Sequence, residues 1–135
     1  MKHLPKMKVL IAGSRDHMIP TWRIEQAFGR LVTELDLFDY PEEIEVVTGG
    51  ARGIDRCGAN WAIWASHKST VMPADWDKYG KRAGYIRNKQ MAESGLDGAI
   101  VYWDGESRGT KMMLDLLEAN GTYTLTYHLP LANIG

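Results

Sequence analysis

Strand-like and helix-like segments alternate along the whole chain, and no other property of the sequence restricts its fold so sharply. Met7-Lys8-Val9-Leu10-Ile11-Ala12-Gly13 is a short apolar run closed by glycine, the signature of a buried strand. Glu43 to Thr48, Ser69 to Met72 and Gly98 to Trp103 read the same way. Thr122 to Tyr127 alternates threonine with tyrosine or leucine, as in a strand with one wet face. Helical stripes separate these runs. Ile24, Ala27, Phe28, Leu31, Val32 and Leu35 recur at three- and four-residue spacing behind the start signals Pro20 and Thr21. Ile54, Cys57, Gly58, Trp61, Ala62 and Ala65 trace a second stripe. A helix from about Arg82 to Ser94 turns Ala83, Ile86, Arg87, Gln90 and Met91 inward, and Thr110 to Asn120 carries Met112, Met113, Leu116 and Leu117.

Such alternation predicts an α/β fold. It is a Rossmann-like, doubly wound parallel sheet of about five strands in the order 3-2-1-4-5, within a three-layer α/β/α arrangement. Ligands of these sheets bind beyond the carboxyl ends of the strands, where the strand order reverses. Here that crevice lies between the first and fourth strands. A chain of 135 residues suits one domain. Residues 1–6 read as a loose leader without an apolar signal segment, and 7–135 as the single domain.

The segments expected at that crevice are the unusual ones. Gly13-Ser14-Arg15 follows the first strand. Glycine allows a sharp turn and close approach of a ligand, and Ser14 with the amides behind it can donate to an anion. Gly49-Gly50-Ala51-Arg52-Gly53-Ile54-Asp55 places three glycines in five residues where a helix opens after a strand. Amides in such a turn converge, and the helix dipole adds positive potential. Arg52 can close on phosphate as a fork. Asp55 either accepts from a ribose hydroxyl or caps the helix. The segment matches neither G-x-G-x-x-G nor a Walker loop.

Asp75, Trp76 and Tyr79 lie in a polar stretch from Ala74 to Lys81. The rings of Trp76 and Tyr79 stack on a base, cover the sheet end or meet another subunit. Arg87 and Asn88 are polar residues on or beside an inward stripe. A buried arginine needs a partner, either a protein carboxylate or a ligand anion. Asp104-Gly105-Glu106-Ser107-Arg108-Gly109-Thr110 follows the fourth strand. Asp104 stands where a ribose- or metal-binding carboxylate would stand. Ser107, Gly109 and Thr110 offer donors to phosphate, and Arg108 a positive charge.

His3, His17, His67 and His128 have no metal-ligand spacing, so no metal is expected. Cys57 reads as core, Trp61, Trp64 and Trp103 as core or interface, and no G-x-S-x-G elbow occurs. The single cysteine suits a reducing, cytoplasmic setting. No apolar run reaches the ~20 residues of a membrane span. A net charge of −1 gives no long-range attraction to nucleic acid.

Taken together, Gly13-Ser14-Arg15, the 49–55 turn, Pro73-Ala74-Asp75-Trp76 with Tyr79-Gly80, Ala83-Gly84 and Arg87-Asn88 with Met91, and the 104–110 loop resemble the YspA-type, YpsA-related branch of the SLOG superfamily. This group is common in bacteria and phages. The resemblance runs from about Met7 to Tyr127. It implies a Rossmann-like fold that binds a nucleotide or a derivative such as ADP-ribose or NAD, and relatives that are often dimers. More distant relatives are the LOG phosphoribohydrolases and the DNA-processing protein DprA. The LOG enzymes follow a glycine-threonine turn with a catalytic glutamate pair. Here Gly109-Thr110 is followed by Lys111-Met112-Met113, without that glutamate.

Three functions follow as expectations. The first is a nucleotide-binding or sensor domain. The second is an N-glycosidic nucleotide hydrolase, in which Asp55, Asp104 or Glu106 would be the catalytic carboxylate and Arg87 would hold the 5′-phosphate. The third is a DprA-like single-strand DNA binder, which the net charge disfavours.

Overall fold

A computed structural model describes residues 3–132. Eleven short elements follow one another: β1 (Lys6–Gly13), α1 (Thr21–Glu34), β2 (Glu43–Thr48), α2 (Ile54–Trp64), β3 (Lys68–Val71), α3 (Trp76–Tyr79), a 3-10 turn (Gly80–Arg82), α4 (Ala83–Ala92), β4 (Gly98–Trp103), α5 (Arg108–Ala119) and β5 (Thr124–His128). The strands form one sheet in the order β3-β2-β1-β4-β5. Every pairing is parallel, with Leu10 opposite Val47 on one side and Ala99 on the other. This is the doubly wound order expected from the alternation of segments.

The two-residue period of a strand explains the layers. Val9, Ile11, Val46, Ile100 and Tyr102 face one side and pack on α1 and α2 through Ile24, Phe28, Leu31, Ile54 and Trp61. Leu10, Ala12, Val47, Ala99 and Val101 face the other and pack on α4 and α5 through Met91, Ala92, Met113 and Leu117. The central strands therefore read as unbroken apolar runs because both faces are covered. Cys57 and Trp61 are buried, whereas Trp64 is exposed. The Trp61 indole N–H donates to Glu25 Oε2 at 2.6 Å.

Several boundaries differ from the sequence reading. β1 opens at Lys6, Leu4 packs against the core, and the Pro5 carbonyl accepts from Glu43 N–H at 3.0 Å. The expected leader is thus tied down from Leu4 onward, and residues 1 and 2 lie outside the described ones. The polar stretch before α4 contains α3. Asp75 Oδ1 caps this turn by accepting from Lys78 N–H at 3.1 Å, and Gly80 ends it at a φ of +58°. α4 is also rotated relative to its expected stripe. Asn88 and Ala92 are buried, while Gln90 is exposed. The cause is tertiary: Asn88 Nδ2 reaches the Gly109 carbonyl at 3.4 Å and Met112 Sδ at 3.8 Å, which pins that face against α5. No helix among the described residues is long and apolar enough to cross a membrane.

Tyr102 is buried and its ring stacks on Tyr127 at 5.3 Å. Its hydroxyl meets no hydrogen-bond partner, and burial pushes the phenol well above its usual pKa. An orphaned hydroxyl loses hydration without compensation. Tyr102→Phe keeps the stack and removes that group. It should leave stability unchanged or raise it by about 1 kcal/mol, read from the urea midpoint. A loss of that size would mean that the hydroxyl is solvated in solution.

Candidate functional site

The site forms where the strand order reverses. β1 ends at Gly13 beside Tyr102 of β4, and Ser14 N–H donates to the Tyr102 carbonyl at 3.1 Å. A side chain at position 13 would run into that carbonyl and would come within 2.9 Å of Ile54 Cγ1. Glycine is required there by the approach of α2 and β4, not by a turn angle. Ser14 is 1% exposed, and its hydroxyl is spent within the protein. It bridges Asp104 Oδ2 at 3.3 Å, Asp16 N–H at 3.3 Å and His17 Nδ1 at 3.1 Å. Ser14 therefore joins the loops after β1 and β4. His17, which no motif singles out, belongs to that joint.

The glycine turn before α2 has a different economy. Gly50 and Gly53 sit at positive φ, +76° and +78°. Ile54 N–H donates to the Ser14 carbonyl at 3.1 Å, and Ala51 N–H donates to Asp55 Oδ2 at 3.2 Å. The chain's own carboxylate thus takes one of the amides that the sequence offered to a ligand phosphate. Asp55 is 6% exposed. Burial pushes its carboxyl above the usual range, against the pull of the Ala51 N–H, Arg87 and Arg15.

Arg87, 8% exposed, reaches across from α4. Its Nη1 donates to the Gly49 carbonyl and its Nε donates to Asn88 Oδ1 at 2.9 Å. A Cβ on Gly49 would sit 2.8 Å from Arg87 Cζ and 2.8 Å from Asp55 Oδ2. Gly49 thus leaves room for a guanidinium and a carboxylate on one backbone carbon. Burial pulls the Arg87 guanidinium down from its ordinary pKa; Asp55 opposes this, and Arg15 adds to it. Arg87 is thus held by a backbone carbonyl and an amide oxygen, with the Asp55 carboxylate nearby, and it also lines open space.

That space has two connected parts. A narrow inner pocket of about 60 Å³ runs between the ends of β1, α4 and α5. Its polar wall is Arg15, Asp55, Arg87, Asn88, Ser107 and Thr110, and Gly13, Ala51 and Gly109 border it. Its floor is Ala12, Met91 and Met113, which the sequence reading placed only as strand or helix interior. An outer chamber of about 370 Å³ adjoins it and shares Arg15, Ala51 and Arg87. Gly49, Gly50, Arg52 and Trp76 complete that chamber together with Pro73 and Ala74. Trp76 is 52% exposed.

α5 presents its amino end to the inner pocket. Ser107 is the residue before its first turn, but its side chain caps no backbone amide. Its Oγ accepts from the Thr110 hydroxyl at 3.2 Å, and no acidic residue lies in the first turn. An uncapped helix start leaves amides and the positive end of the dipole open to an anion.

The remaining candidates line neither part. Asp104 Oδ1 accepts from Ser107 N–H at 2.7 Å and Glu106 N–H at 2.9 Å, and these bonds hold its carboxyl below the usual range. Asp104 shapes the loop that starts α5. Glu106 on that loop and Arg108 at the first position of α5 are exposed. Gly53 supports the turn from behind. Asp75 lines a third hollow with Lys78 and Tyr79, which shares Pro73 and Arg87 with the outer chamber. Among the described residues no three His, Cys, Asp or Glu side chains gather into a metal-binding group.

The chain is 34% identical over 110 residues to the Gene 61 protein of Mycobacterium phage D29, a match spanning 77% of this chain and 82% of that protein. No family model matches the chain, and no solved structure matches it.

Proposed function

The chain belongs to the family of the Gene 61 protein of Mycobacterium phage D29, and within that family we propose that it is a phage-type binding domain for a nucleotide or nucleotide derivative. The observation that carries this reading is the inner pocket. It sets two arginines, Arg15 and Arg87, and the uncapped start of α5 around one small space at the sheet's reversal point. Phosphate placed there gains charge-assisted hydrogen bonds and helix-dipole potential together. The base then lies in the outer chamber against Trp76. The resemblance to the SLOG superfamily supports the same ligand class. The phosphate is assigned to α5 instead of the 49–53 turn because Asp55 already occupies Ala51 N–H.

Binding is favoured over turnover. Both oxygens of Asp104 are engaged by neighbouring groups, and Asp55 is engaged by its own turn. A reducing cytoplasm suits the lone Cys57, which is buried. Calorimetry with nucleoside monophosphates, nucleoside diphosphates and the parent nucleosides tests the proposal. The nucleotides should bind and the nucleosides should not. If no nucleotide binds, the reading is lost.

A further inference from the structure

The inner pocket and the outer chamber differ in size and charge, and the difference narrows the ligand class. At about 60 Å³ the inner pocket has about one-sixth the room of the 370 Å³ outer chamber, so a small anionic group suits the inner space and a sugar and base suit the outer one. A terminal group suits it best. The outer chamber is lined by three guanidinium-bearing residues, Arg15, Arg52 and Arg87, and by no carboxylate. The inner pocket sets Asp55 against its two arginines. The greater excess of positive charge thus lies one step outward from the place assigned to the phosphate.

Two of the outer arginines are available. Arg15 is exposed, lines both spaces and holds no ion pair among the described residues. Arg52 pairs with Asp16 at 3.0 Å, but the two side chains are 67% and 76% exposed. Such a pair is screened by solvent and contributes little. A multiply charged anion beside it can draw Arg52 away.

Resting on the phosphate-binding reading above, we infer that the ligand carries a terminal diphosphate. Its last phosphate occupies the inner pocket, and the preceding one lies in the outer chamber between Arg15 and Arg52. A nucleoside diphosphate fits this arrangement. ADP-ribose does not, because a ribose blocks the end that must enter.

Calorimetry on the full chain separates the cases, with inorganic phosphate, pyrophosphate, ADP and ADP-ribose as probes. Pyrophosphate should bind about tenfold more tightly than phosphate, the effect of one added charge-assisted contact. Arg52→Ala should remove about that tenfold from pyrophosphate and leave phosphate within about twofold. Arg52 is exposed, so an unchanged thermal transition will certify the variant's fold. ADP should bind more tightly than ADP-ribose. If phosphate binds but pyrophosphate binds no better, or Arg52→Ala weakens both equally, or ADP-ribose matches ADP, the diphosphate assignment is overturned and the nucleotide reading stands. If none of the four probes binds, both fall.

Discussion

Gly53→Ala should destabilise the domain by about 4 kcal/mol, combining a strained backbone with a backbone clash. Gly53 sits at φ +78° and ψ −129°, a region that side chains rarely tolerate. Its missing Cβ would also lie 2.5 Å from the Ser14 carbonyl oxygen and 2.6 Å from that of Arg15. Neither atom can rotate away, since both are main chain. The Ser14 carbonyl is further fixed by accepting from Ile54 N–H at 3.1 Å. Relief would require the two turns bordering the site to separate. Gly80→Ala supplies the control. Gly80 also has a positive φ, +58°, but a Cβ there meets nothing within 4 Å. It should cost about 1–2 kcal/mol from strain alone. Urea denaturation of both variants decides the matter. Equal losses would show that contact between the turns is not what requires glycine at position 53.

The turn at 49–53 also marks the limit of what the sequence disclosed. The layers were legible because Val9, Leu10, Ile11 and Ala12 are all apolar, and a strand buried on both faces has little choice. The strand order was legible because strand–helix–strand crossovers are right-handed and tightly limited. Arg87 stood out because a charge on an inward stripe needs a reason. What stayed hidden were choices between partners of equal chemistry. An aspartate one residue into a helix serves its own turn or a ribose equally well, and only the fold sets Asp55 Oδ2 beside Ala51 N–H. Asp104 has the composition of a catalytic carboxylate and the geometry of a loop brace. The rotation of α4 depends on Gly109 and Met112 of another helix, which no local period encodes. The apolar floor of the inner pocket was invisible for a related reason. Ala12, Met91 and Met113 look like any core residues until the sheet ends beside them.

Replacing Arg87 with methionine should have the largest effect on the site itself, with stability lower by about 3 kcal/mol at neutral pH and affinity for inorganic phosphate lost. Methionine preserves most of the packing against α4's neighbours. It leaves the Gly49 carbonyl and Asn88 Oδ1 without the donors they now have. It also removes a positive charge that favours ionised Asp55. The sign of the pH effect follows from that last change. Asp55 already titrates above the usual carboxylate range, so the folded state holds its proton more firmly than the unfolded state does. Stability conferred by that proton is complete below the ordinary carboxylate pKa and is lost as pH rises through the folded value. Without Arg87 the folded value moves further up, and the range of loss extends to higher pH. The gap between wild type and Arg87→Met should therefore be wider at about pH 8 than at about pH 5. Adding Asp55→Asn to Arg87→Met should remove the pH-dependent part of the gap and leave the part due to the two lost hydrogen bonds. Denaturation curves at both pH values measure each component. A gap independent of pH would mean that Arg87 and Asp55 are neighbours without electrostatic coupling. If Arg87→Met instead keeps its affinity for inorganic phosphate, the proposed anion contacts fall to Arg15 and the start of α5.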